Sequence, residues 1–129
     1  MALTLSTAIR NAMVDAATNF LDSGVTDANG DFVLMTALDV EVATLPLSNP
    51  AFAGSVNGVA NANAIASDTS ATGGIAALFK MQNRDNAEGF RGTVTGTGGG
   101  GDVEATNPNI AANDTVQVTG TPTFTQPAS

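Results

Sequence analysis

Downstream of Gly24 the chain is cut into short segments rich in Val, Thr, Ile and Phe, each closed off by Gly, Asn, Asp or Pro. That punctuation constrains the fold more than any other feature, because such segments fit strands joined by turns. Strands are predicted over residues 32–37, 40–47, 59–66, 75–82, 89–95, 115–119 and 122–126, with a lesser one at 102–106. The apolar run from Ile75 to Phe79, the polar tip Gln82-Asn83-Arg84-Asp85-Asn86 and the following Phe90 and Val94 describe a central hairpin. Val116-Gln117-Val118 and Thr123-Phe124-Thr125 alternate as strands with one wet face do, and predict a second hairpin about Gly120.

Upstream the pattern is different. Ile9, Met13, Ala16 and Phe20 are separated by four, three and four residues, the one-face period of an α-helix, which predicts a helix over 6–21. Ser6 is placed to cap its first turn and Gly24 to follow its end in a left-handed conformation. The expected architecture is mainly β: an antiparallel β-sandwich or jelly-roll-like domain with one N-terminal α-helix that either covers an open end or reaches to a neighbour. The expected organisation is an arm and helix over 1–24, then a β-sandwich over 25–129 containing a flexible Gly-rich loop at 96–101.

Composition narrows function. With 129 residues the chain has the usual size of one domain, yet it holds six Phe and no Trp or Tyr, so the core is expected to be thin and association would add stability. Twelve acidic against four basic residues give a net charge of −8, which offers no cationic cluster for nucleic acid or an anionic membrane and favours a basic partner. Without Cys or His, disulfides, thiolate chemistry, Cys/His zinc sites and imidazole proton transfer are excluded. The N-terminus lacks the features of a secretory signal and no run of 18 apolar residues occurs, so a soluble chain is expected.

The candidate sites have bland alternatives. Asp27, Asn29 and Asp31 around Gly30 suit half of a calcium loop but lack its closing Glu, and Asn29-Gly30 is equally a turn that exploits positive φ. Asp39 with Glu41, and Asp102 with Glu104, would share a strand face as acid–base pairs do, although exposed strands carry such pairs routinely. Two of Asp39, Glu41, Asp68, Asp102 and Glu104 meeting in a deep pocket would favour an enzyme. No serine has a histidine base, and the glycines at 98–101 lack the Lys-Ser/Thr of a phosphate loop. No catalytic, cofactor or metal residue is therefore assigned. Lys80, Arg84, Arg91 and Arg10 are isolated cations, and Ala60-Asn61-Ala62-Asn63-Ala64 would set small apolar groups and amides on opposite faces of a strand.

The stretches Leu3-Thr4-Leu5-Ser6-Thr7-Ala8-Ile9-Arg10-Asn11-Ala12, Ala43-Thr44-Leu45-Pro46-Leu47-Ser48-Asn49-Pro50-Ala51-Phe52, Ala64-Ile65-Ala66-Ser67-Asp68-Thr69-Ser70-Ala71 and Thr123-Phe124-Thr125-Gln126-Pro127-Ala128 together resemble a family of small virion structural proteins of tailed bacteriophages. Residues 27–35 depart from its usual pattern. The resemblance implies a particle component made in the host cytoplasm, a capsid decoration or cement protein that binds the major capsid protein and forms homo-oligomers such as trimers. The alternatives are a tail or baseplate adaptor, and a receptor- or carbohydrate-binding β-module, against which the lack of Trp and Tyr counts.

Overall fold

The computed structural model describes residues 3–129, so the first two residues of the predicted arm lie outside the described residues. Helix α1 spans Thr7–Asn19 and runs into a single 3-10 turn, Phe20–Asp22. Ser6 is its N-cap, with extended backbone and a hydroxyl that accepts from Ile9 N at 3.3 Å. Gly24 follows the last turn with φ of +110°.

Among the described residues nine strands follow: β1 (Asp31–Met35), β2 (Glu41–Pro46), β3 (Val59–Asn61), β4 (Gly74–Ile75), β5 (Leu78–Gln82), β6 (Glu88–Gly96), β7 (Val103–Ala105), β8 (Asn109–Ile110) and β9 (Thr123–Thr125). The fold is mainly β with one N-terminal helix. Its body is a five-stranded sheet in the order β2-β1-β5-β6-β7, antiparallel except for the β6–β7 pair, which is parallel. Two short antiparallel ladders, β3–β9 and β4–β8, complete it.

The central hairpin predicted over 75–94 is present as β5–β6, with Phe79 opposite Gly92 and Met81 opposite Phe90. The predicted strand 75–82 is divided, however: Gly74 and Ile75 leave the sheet to pair with Ile110 and Asn109. The hairpin expected about Gly120 does not form. Phe124 pairs with Ala60 of β3, and Val116 forms an isolated bridge to Asp68, so each half found a partner distant in sequence. Residues 115–119 keep the expected alternation, with Val116 and Val118 half-buried and Gln117 exposed, but form no strand.

One apolar cluster runs through the molecule. Leu21, Leu45, Leu47, Val14 and Val42 are its most buried large side chains, so aliphatic residues fill its centre. Phe32 and Phe79 stack at 5.3 Å between centroids, and Phe90 tilts against Phe124 at 4.9 Å. Because Val14 and Leu21 belong to this cluster, α1 is a wall of the body and not a detached arm.

The helix nevertheless turns an unexpected side inward. Val14, Thr18 and Leu21 are buried, whereas Ile9, Met13 and Phe20, the residues that define its apolar period, are 51%, 45% and 38% exposed. Facing the first half of α1 is a loop with unpaired main-chain groups, which selects polar partners. Asn11 Oδ1 accepts from Gly58 N at 2.7 Å, Asp15 Oδ1 accepts from Ser55 N at 2.9 Å, and Arg10 Nη1 donates to Asn57 O at 2.9 Å. These bonds set the polar residues of the first half of α1 toward residues 55–58 and leave Ile9 and Met13 outward, although Arg10 Nε is itself buried without a partner among the described residues.

Candidate functional site

The sequence-derived candidates are dispersed. Asp27 and Asp31 act as fastenings: Asp27 Oδ2 accepts from Asn86 Nδ2 at 3.1 Å, and Gln82 Nε2 bridges Asp31 Oδ2 at 3.2 Å and Asn86 Oδ1 at 2.9 Å. Asn29 lies half-buried between them. Among the described residues no three Asp or Glu side chains converge as a metal site would need. Neither Asn29 nor Gly30 has positive φ. Gly30 is required by close approach, because a Cβ there would sit 2.5 Å from Gln82 O.

The two carboxylate pairs are likewise engaged. Asp39 lies in the turn before β2 with φ of +61° and pairs with Arg91 Nη1 at 3.1 Å, while Glu41 accepts from Thr44 Oγ1 at 2.8 Å. Asp68 accepts from Thr44 N and from Ser70 N, both at 2.9 Å. Asp102 Oδ2 accepts from Thr93 N at 2.9 Å and Thr93 Oγ1 at 3.0 Å. Glu104 accepts from Gly98 N at 3.1 Å and Gly100 N at 3.4 Å. The Gly-rich loop is a hydrogen-bonded turn in this structure, with Gly101 N also donating to Thr95 Oγ1 at 3.0 Å. It carries the chain from β6 back to start the parallel strand β7 beside it.

Asp102 and Glu104 do line one cleft together, the condition set for an enzyme. Asp102 Oδ2 and both Glu104 oxygens accept from N–H or O–H donors, and the Thr93 hydrogen bonds hold the Asp102 carboxyl below its ordinary range, the opposite of what a proton donor needs.

Among the described residues, two surfaces combine apolar side chains with a depression or cleft. The first is the outward stripe of α1, Ile9, Met13 and Phe20, with exposed Ala16 in register between them. Past Phe20 the stripe reaches a shallow depression of about 240 Å³ formed with Ala17, Glu88, Gly89 and Phe90. The second is an open cleft of about 970 Å³ lined by β7 and by residues 115–119 and 121–123, floored by Phe79, Phe90, Val94, Ile110 and Phe124. Phe79, Val94 and Ile110 are themselves buried, so the open volume lies above them toward β7 and the C-terminal segment. Neither surface was legible in the sequence: the stripe's period was visible but not its direction, and the cleft depends on pairings between distant segments.

Comparison with protein-family models, with curated proteins and with solved structures finds no match. No helix among the described residues is long and apolar enough to cross a membrane.

Proposed function

We propose that this chain is a non-enzymatic structural protein of a tailed-bacteriophage virion, a capsid decoration or cement protein that binds the major capsid protein lattice and stabilises the head. The observation that carries the reading is the apolar stripe on the outer face of α1. Burying a side chain of the Ile, Met or Phe class contributes about 1.5–3 kcal/mol when complete. The helix is already fixed by Val14, Leu21 and the polar contacts to residues 55–58, so docking it costs little ordering entropy.

Two further features support the reading. The likeness to virion proteins at residues 3–12, 43–52, 64–71 and 123–128 supplies the class of partner, and the net charge of −8 favours a basic face on it. The five carboxylates weighed as acid–base groups serve main-chain N–H groups, hydroxyls and Arg91, a structural use. Homo-oligomers, trimers about local three-fold axes among them, would place several stripes on the lattice at once and raise avidity.

The test is to image the intact particle and count copies of this chain per major capsid protein. Many copies spread over the shell, with α1 against the capsid surface, are expected. A few copies confined to the tail or vertex would replace decoration by an adaptor or receptor-binding role.

A further inference from the structure

The cleft beside β7 has a property that the helical stripe lacks: each of its long sides includes main chain that has no backbone partner among the described residues. β7 is the outermost strand of the sheet, with β6 on one side and, among the described residues, no strand on the other. On the opposite bank, residues 117–121 make no backbone hydrogen bond among the described residues, between the bridge at Val116 and the Pro122 carbonyl that accepts from Ala62 N. Val103 and Ala105 on one bank and Val116 and Val118 on the other are half-buried toward the core, and alternate with exposed Glu104 and Gln117. Two edges with period-two side chains over an apolar floor match what an added strand requires: the edges supply pairing and the floor receives alternate side chains.

Charge indicates the occupant. The cleft is lined by Asp102, Glu104 and Asp114, none of which forms an ion pair among the described residues. Its cation, Arg91, is already held by Asp39 at 3.1 Å and Glu88 at 2.6 Å. A second copy of this acidic chain is a poor complement.

We infer that the cleft between β7 and residues 115–123 is an acceptor groove for an extended segment of a partner protein, apolar at every second position and flanked by Lys or Arg. This groove is separate from the stripe on α1 and does not rest on the virion reading. The full chain is titrated with an end-blocked synthetic peptide of about nine residues, a usual strand length, that alternates Val with Lys and Thr. The amide signals of 103–105 and 117–121 are expected to shift, and exchange at 117–121 to slow at least about tenfold. The same peptide N-methylated at alternate amides, and an acidic counterpart with Glu for Lys, are each expected to bind at least about tenfold more weakly. Val118→Lys is expected to block binding, and the peptide series on the unaltered chain decides the matter should that variant unfold. Equal binding of the N-methylated or acidic peptide would overturn the inference, as would no shift at millimolar peptide. Amides at 117–121 already protected in the free protein would overturn it as well, a rise in sedimenting mass then assigning the groove to a second copy.

Discussion

At the tip of the central hairpin, the Asn83 side-chain oxygen accepts from Asp85 N at 3.0 Å and Ala87 N at 2.9 Å, and its amide donates to Ser23 Oγ at 3.1 Å, with the residue only 6% exposed. Asn83→Ala removes the acceptor for two N–H groups and is expected to cost about 1–3 kcal/mol in a denaturant melt. Asp31 behaves in the opposite sense. Burial raises its pKa above the ordinary carboxylate value of 3.8, against the lowering effect of the Gln82 hydrogen bond and with the charges of Asp27 and Glu41 adding to the rise. Its contribution is therefore fullest below the unfolded pKa and is lost as pH rises through the higher folded one, so the charged form opposes folding at neutral pH. Asp31→Asn keeps an acceptor for Gln82 and should raise the melting temperature at pH 7 by the equivalent of at most about 1 kcal/mol, given its partial exposure. That gain should vanish near about pH 3, where the native Asp31 is protonated too. Asp85 and Asp102 have the reverse sign: hydrogen bonds from Val25 and Thr26, and from Thr93, lower their pKa values, so their contribution is present above 3.8 and lost as pH falls through the folded values.

Among the elements, the Gly-rich turn and the helix carry the clearest consequences. Glu104→Ala leaves Gly98 and Gly100 N–H without their carboxylate and should speed hydrogen exchange across 97–101 while β5 and β6 stay protected. Gly92 sits where a Cβ would lie 2.5 Å from the Phe79 ring and 2.8 Å from Asp102 Oδ2, so Gly92→Ala disturbs the core and the start of β7 together and is expected to destabilise by about 1–3 kcal/mol. The elements easiest to foresee were those whose neighbours are close in sequence. The turn-bounded segments rich in Val, Thr and Phe over 32–37 and 40–47 and the apolar–polar–apolar run of 75–94 place β1, β2, β5 and β6 within a few residues of where they lie. The pairing of β3 with β9 and of β4 with β8 was hidden because the partners are separated by long stretches of chain, and strand propensity does not name a partner. The helix was visible but its orientation was not: Asn11 and Asp15 face inward because main-chain N–H groups of residues 55 and 58 await acceptors there.

For the whole molecule, the helix closes the core with Val14 and Leu21 and leaves Ile9, Met13 and Phe20 exposed, the face through which docking is proposed. Removing residues 1–22 should therefore unfold the chain, seen as loss of a cooperative thermal transition, where a detached arm would leave a folded β-body. Substitutions on the outer stripe should separate the two roles: Ile9→Lys with Met13→Lys alters exposed positions, and each is expected to change stability by no more than about 0.5 kcal/mol. The most direct test of docking through α1 is to add this double variant and the unaltered chain to shells of the major capsid protein and measure the bound copies by co-sedimentation. The unaltered chain is expected to saturate the shells and the folded double variant to bind at least about tenfold more weakly. Equal occupancy by the two would contradict docking through this face.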